Sequence, residues 1–361
     1  MPPSDICVRA AVRNRIGHLS LDRPEGLNAL TLPMIRQLRH QLQAWEADPR
    51  ILAVVLRATE GKAFCAGGDI RALHDSYQTG DDLHRVFFEE EYALDQHIHR
   101  YPKPLLALMD GFVLGGGMGL VQGAALRVIT ERARMGMPEV GIGFFPDVGG
   151  SYFLPRLPGE LGIYLGVTGL QVRAADALYA RLADWCLPSE QLAELDRCLD
   201  NLSWTTHPRE ALRTLLATLA NDKLPGAELE ALRPVIDQHF ALADLPAIRA
   251  ALQAERRPEF AAWAEATVAV LDSRSPLAMS VTLELLRRGR ELPLADCFRL
   301  EHHLGDQWFA KGDFIEGVRA LIIDKDKTPH WNPPSLAQVQ PQRVQDFFSG
   351  FTPAAPARRR A

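Results

Sequence analysis

Two short, nearly continuous apolar runs, LAVVLRAT (Leu52–Thr59) and PLLALMDG (Pro104–Gly111), constrain this chain more than any other feature. An apolar run of that length without polar alternation suits a strand buried on both faces, as in a parallel sheet flanked by helices. Each run leads into a glycine cluster and then an amphipathic stretch. GHLSLD (Gly17–Asp22) alternates as a half-buried strand does. TLPMIRQLRHQLQAWEAD (Thr31–Asp48) sets Ile35, Leu38, Leu42 and Trp45 on one helical face, with Thr31 as N-cap and Pro33 in the first turn. The first half therefore predicts an α/β layered fold. From about Gln171 the glycines thin out and helical patterns dominate, as in SVTLELLRRGREL, LADCFRLEHHLGDQWFA and NDKLPGAELEALRPV. The expected organisation is a core over residues 1–195, a helical C-terminal domain over 196–345, and a disordered tail over 346–361 rich in Pro, Ala and Arg358–Arg360.

With 361 residues and 47% apolar composition, the chain can bury a large core and exceeds what one small domain needs. Its formal net charge of −5 gives no footprint for nucleic acid or an anionic membrane, so the expected partner is a small molecule. No stretch approaches the ~20 apolar residues of a membrane span, and the N-terminal residues lack the apolar run of a signal peptide. The expectation is a soluble cytoplasmic protein. Cys7, Cys65, Cys186, Cys198 and Cys297 are odd in number and show no CxxC spacing, which predicts reduced thiols rather than disulfides or a zinc site.

Two strand-to-helix junctions carry glycines, AFCAGGDIRAL (Ala63–Leu73) and GFVLGGGMGLVQGAAL (Gly111–Leu126). Each alone is explained by a tight turn or close helix packing, and neither fits GxxxxGK[ST]. Taken together, two helix N-termini facing one another would offer backbone N–H donors to one negative oxygen, an oxyanion hole. No Ser–His or Cys–His pair lies nearby in the sequence, so the chemistry falls to carboxylates. MPEVGIGFFPDVGG (Met137–Gly150) holds two of them, Glu139 and Asp147, in an otherwise apolar, glycine and proline segment.

The ordered motifs FCAGGDI, LGGGMGL and MPEVGIGFFPDVGG resemble the crotonase (enoyl-CoA hydratase/isomerase) superfamily. PDVGGSYFLPRLPG and DFIEGVRALIIDKDKTPHWNP (Asp313–Pro333) are most similar to its subgroup that hydrolyses 3-hydroxyisobutyryl-CoA. The resemblance runs from about Gly17 to Pro333. It implies a crotonase-like ββα spiral with a helical C-terminal part. It implies an oxyanion hole from the N–H groups of Gly68 and Gly116, the shared family carboxylate at Glu139, the hydrolase subgroup's additional acid at Asp147, and a substrate-contacting acid at Glu91. The glutamate that hydratases place three residues after the middle glycine is replaced by Gly119. RPEGLNAL (Arg23–Leu30) resembles the family's CoA-contacting segment. CoA is then part of an acyl-CoA substrate, with no separate cofactor or metal indicated, and a homo-oligomer built through the helical part is compatible with the family.

The function so implied is hydrolysis of a short branched 3-hydroxyacyl-CoA thioester in valine breakdown. Glu139 would act as nucleophile, through a mixed anhydride, or as general base for water, and Asp147 would manage protons or hold the substrate hydroxyl. An enoyl-CoA isomerase or hydratase of the same fold is the enzymatic alternative. A structural or ribosome-associated crotonase-fold protein is the non-enzymatic one, disfavoured by the retained acids and glycines. Simpler readings stand beside these roles. Glu139 after Pro138 and Asp147 before Val-Gly-Gly suit turns, and Glu91 in the run Glu89–Glu91 suits a solvated helix face. His97, His99, His302 and His303 read as surface or packing residues, and Cys65 as a packing residue.

Overall fold

The computed structural model describes residues 7–220, 224 and 226–354. A hairpin opens the chain: β1 (Val8–Arg13) pairs antiparallel with β2 (Ile16–Leu21). Next comes α1 (Leu32–Ala47), whose N-terminus is capped by the Thr31 hydroxyl accepting from the Met34 amide at 3.4 Å. It buries Met34, Ile35, Leu38, Leu42 and Trp45, the stripe its periodicity predicts.

Three successive units then each give one strand to each of two sheets before a helix. These are β3 (Ala53–Ala58) and β4 (Ala63–Cys65) before α2 (Ile70–Thr79) and α3 (Leu83–His99); β5 (Leu105–Met109) and β6 (Phe112–Leu114) before α4 (Gly116–Gln122); and β7 (Leu126–Ile129) and β8 (Arg134–Gly136) before the single-turn α5 (Gly150–Phe153). With β9 (Val172–Arg173) and β10 (Trp185–Cys186), the sheets run β1-β2-β3-β5-β7-β10 and β4-β6-β8-β9. The first is parallel beyond its hairpin, and the second is parallel except at β9. This is a ββα spiral.

The buried-on-both-faces reading of the apolar runs is visible in β3. Val54 and Leu56 join the main core, whereas Ala53 and Val55 join a second cluster with Leu106, Leu108, Leu126 and Val128 on the opposite face. That second face is covered by Leu195, Leu199, Leu212 and Leu216, from the helices Leu192–Asp200 and Pro208–Leu219. A boundary at 195/196 is therefore corrected: it falls within a helix whose two buried leucines seal the spiral's own sheet. The patterns SVTLELLRRGREL and LADCFRLEHHLGDQWFA lie within the helices Pro276–Glu291 and Leu294–Lys311. Part of NDKLPGAELEALRPV lies outside the described residues, and its remainder opens the helix Glu228–Phe240.

The tail expected from residue 346 also needs correction, because the helix Pro341–Phe348 carries Val344, Phe347 and Phe348 inward. Phe347 lies 4.8 Å from the Trp308 ring, centroid to centroid, so a polar- and proline-rich composition masked one docked aromatic face. Arg358–Arg360 lie outside the described residues.

Candidate active site

The two glycine junctions lie side by side. After β4 the chain turns through Gly67 at φ 105°, and before α4 it turns through Gly115 at φ 50°, conformations that an L side chain would strain. The RPEGLNAL segment clamps the first turn: Leu30 N–H donates to Gly67 O (2.8 Å), Asp69 N–H to Leu30 O (2.9 Å) and Ala66 N–H to Leu27 O (3.1 Å). Gly115 N–H donates to Gly136 O at 3.1 Å and fixes the second turn. The N–H groups of Gly68 and Gly116 have no acceptor among the described residues. A Cβ built on Gly116 would lie 3.5 Å from the Gly68 nitrogen, so the two donors border one small space.

A cleft of about 630 Å³ opens over these donors, and Glu91, Glu139 and Asp147 all line it. Glu91 is inward although it closes a three-acid run: Glu89 is exposed, Glu90 pairs with Arg36, and Glu91 is 2% exposed. The solvated-face reading is thus wrong for Glu91 alone. Its Oε1 lies 2.4 Å from where a Gly116 Cβ would stand and accepts no hydrogen bond among the described residues. Glu139 begins a single 3-10 turn, and its Oε1 lies 2.6 Å from an added Gly115 Cβ. Asp147 sits at the head of the turn into α5, and its Oδ2 accepts from the Tyr92 hydroxyl at 2.7 Å. Arg23, at the mouth of the cleft, is tied to Asp69 at 2.9 Å.

These acids share one apolar pocket, so they compete for the right to be charged. Burial raises the Glu139 carboxyl well above the ordinary carboxylate range, and the nearby Asp147 raises it further. Burial does the same to Glu91, with Asp147 and Glu139 adding to it. Asp147 is pushed up only to about 7, because the Tyr92 hydroxyl bond offsets part of the burial cost. Asp147 is therefore the member of the group that ionises near neutral pH. The turn that carries it is strained: Val148, β-branched, stands at φ 49°. Such a residue costs about 1–3 kcal/mol and persists only where its surroundings hold it.

Three further residues of the site were not singled out by the sequence. Asp95 lies one helical turn beyond Glu91 on α3, is fully buried, and neither of its oxygens has a partner among the described residues. Its Oδ2 lies 2.6 Å from where a Gly119 Cβ would stand, so the glycine found in place of the hydratase glutamate makes room for this acid. The i, i+4 spacing of Glu91 and Asp95 was a usable signal. Tyr92 and Glu301 gave none. Cys65 is fully buried and burial pushes its thiol up to about 12, so it is a packing residue and not a nucleophile. Among the described residues no group of His, Cys, Asp and Glu side chains has the arrangement of a metal site.

A family model described as enoyl-CoA hydratase/isomerase matches residues 16–348. The chain belongs to this family. Within the enoyl-CoA hydratase/isomerase family it is 38% identical over 339 residues to a mitochondrial 3-hydroxyisobutyryl-CoA hydrolase of Gallus gallus, covering 92% of this chain and 86% of the relative. It is 37% identical over 339 residues to a protein of the same name from Homo sapiens, covering 93% and 86%. Among solved structures it is similar to one titled a carnitinyl-CoA dehydratase from Mycobacterium thermoresistibile, with TM-score 0.87, 35% identity and 98% of each chain covered. It is also similar to one titled an enoyl-CoA hydratase from Rhodobacter sphaeroides, with TM-score 0.84, 36% identity, and 95% and 97% covered. The crotonase fold is thereby shared along nearly the whole chain. Among the described residues no helix is long and apolar enough to cross a membrane.

Proposed function

We propose that this chain hydrolyses 3-hydroxyisobutyryl-CoA to 3-hydroxyisobutyrate and CoA, a step of valine breakdown. The observation that carries the reading is Asp147, a buried acid in the same cleft as Glu139 and two N–H donors that have no acceptor among the described residues. The names of the Gallus gallus and Homo sapiens relatives support it.

A thioester carbonyl under attack becomes a tetrahedral oxyanion, and the N–H groups of Gly68 and Gly116 would stabilise that charge more than the ground-state carbonyl. Glu139, held well above the ordinary carboxylate range, first gives up its proton and then supplies the attacking oxygen, its own or that of a water it activates. Ionised Asp147 takes up the proton that this step releases. The C–S bond breaks and the leaving thiolate takes the proton held by Asp147 to become free CoA; the C–O bond formed is that of the acid product when water attacks and that of the mixed anhydride when Glu139 does. In the anhydride route a second attack by water returns Glu139 to its carboxylate.

A hydratase or isomerase is the second reading, and the dehydratase and hydratase names of the two similar solved structures favour its hydratase form. The slot for a hydratase acid at residue 119 is occupied by Asp95, which weighs against hydration. Thiol release from 3-hydroxyisobutyryl-CoA, 3-hydroxypropionyl-CoA and crotonyl-CoA separates the readings. Rapid thiol release from the first supports hydrolysis, whereas water addition to crotonyl-CoA without thiol supports the second. The cytoplasmic location expected from the sequence is part of this proposal and is tested by cell fractionation, the more so because the similar relatives carry "mitochondrial" in their names.

A further inference from the structure

We propose that Glu301, on the helix Leu294–Lys311, is the positioning residue of Asp147: its carboxyl group holds the strained turn through which the core presents that acid. The inference rests on the hydrolytic reading of Asp147.

Glu301 is fully buried, and among the described residues no Lys, Arg or His pairs with it. Its two oxygens face the turn instead. Oε2 accepts from the Gly149 N–H at 2.8 Å, and Oε1 accepts from the Ser151 N–H at 2.9 Å and from the Ser151 hydroxyl. Burying a carboxyl with no cation is costly unless its lone pairs are met, and here all the donors come from the two residues flanking Gly150. Burial pushes its carboxyl up to about 8, while those donors act the other way.

The same helix grips the chain on the other side of Asp147. Trp308, two turns along from Glu301, donates its indole N–H to Gly143 O at 2.8 Å. Phe298 closes on Gly149, its Cζ 3.1 Å from where a Cβ would stand. Asp147 is thus flanked by attachments at Gly143 and Gly149, with its side chain fixed by Tyr92 from α3. Within the turn, Gly150 N–H donates to Asp147 O at 2.6 Å, which spans Val148 at its unfavourable φ. A turn that the local sequence disfavours needs an outside hold, and Glu301 supplies it.

The test is Glu301→Gln in the full chain. Whichever way the amide is placed, an NH2 faces an N–H donor, so at least one hold is lost. The expected result is a kcat lower by roughly 10–100-fold with KM changed by less than about threefold, since a misplaced acid costs the chemical step more than substrate binding. Ser151→Ala removes one donor only and should lower kcat by a smaller factor, which keeps the test open if Glu301→Gln folds poorly. Adding Val148→Gly to Glu301→Gln relieves the strained φ and should recover about tenfold of the lost kcat. A folded Glu301→Gln with wild-type kcat, or Ser151→Ala and Glu301→Gln proteins whose losses follow thermal stability alone without recovery by Val148→Gly, would overturn the inference. Near-normal turnover by Asp147→Asn would instead overturn the hydrolytic reading beneath it.

Discussion

Replacing Gly116 by alanine tests whether the space between the two N–H donors is where the reaction's negative charge forms. The added methyl would stand 2.4 Å from Glu91 Oε1, 3.3 Å from Leu30 Cδ1 and 3.5 Å from the Gly68 nitrogen, so it crowds the space the two donors border. An oxyanion must come within about 2.7–3.1 Å of its donors, and a methyl in that position is expected to hinder that approach. Loss of one such donor contact costs about 2.7–4 kcal/mol of barrier, a fall of roughly 10²–10³ in kcat. Crowding Glu91 costs about 1–3 kcal/mol of stability, offset by about 0.5–1 kcal/mol from alanine's lower chain entropy in a helix. The protein should therefore fold. Gly68→Ala is the internal comparison, because its methyl points at the Phe87 ring, 3.1 Å from Cζ, and leaves the donor space clear. Its kcat should stay within about tenfold of wild type. Steady-state thiol release, with thermal unfolding run beside it, reads both variants. Gly116→Ala with kcat within about threefold of wild type, or Gly68→Ala equally damaging, would refute the placement of the oxyanion.

Tyr92→Phe removes the hydroxyl bond that holds Asp147 down to about 7, so the rising acid limb of the kcat/KM profile should move to higher pH; an unmoved limb would detach Asp147 from that limb. Gly119→Glu restores the hydratase residue in sequence but drives a side chain into Asp95 Oδ2 and Val148 Cβ, each 2.6 Å from the new Cβ, so it should lower the unfolding temperature and confer no hydration of crotonyl-CoA. A stable Gly119→Glu protein that hydrates crotonyl-CoA would contradict the occupied slot. Burial, and then Glu91, raise the Asp95 carboxyl well above its unfolded value, so its contribution to stability is complete below about pH 4 and is lost as pH rises toward its folded value. Asp95→Asn should accordingly be more stable than wild type near pH 8 and lose that advantage toward pH 4; parallel melting curves across this range would rule the account out.

What the sequence made legible follows from how locally each feature is encoded. The two-faced strands declared themselves because β3 and β5 carry apolar residues at every position of their buried stretch, and α1 because one stripe and one cap are written within eighteen residues. Glu139 and Asp147 stood out as charges in an apolar segment, and their burial has the same physical cause. Glu91 was ambiguous, since the sequence does not say which of three adjacent acids a helix turns inward. Gly119 was read only as a missing acid. Its reason, the Asp95 carboxyl on a facing helix, needs the packing of α3 on α4. Glu301 lies 150 residues from the Ser151 hydroxyl it holds, a relation no local pattern carries. The boundary at 195/196 misled because helical periodicity marks an element but not the sheet face it covers.

Single turnover of 3-hydroxyisobutyryl-CoA in heavy-oxygen water tests the central claim most directly. The account predicts one free thiol for each 3-hydroxyisobutyrate formed, with one solvent oxygen taken up in the carboxylate of that acid or of Glu139. In the covalent route a first turnover places the solvent oxygen on Glu139 or on the product according to which carbonyl of the anhydride water attacks, but a thiol is freed either way. An unbroken thioester that has only lost or gained water, with no thiol released, would contradict it.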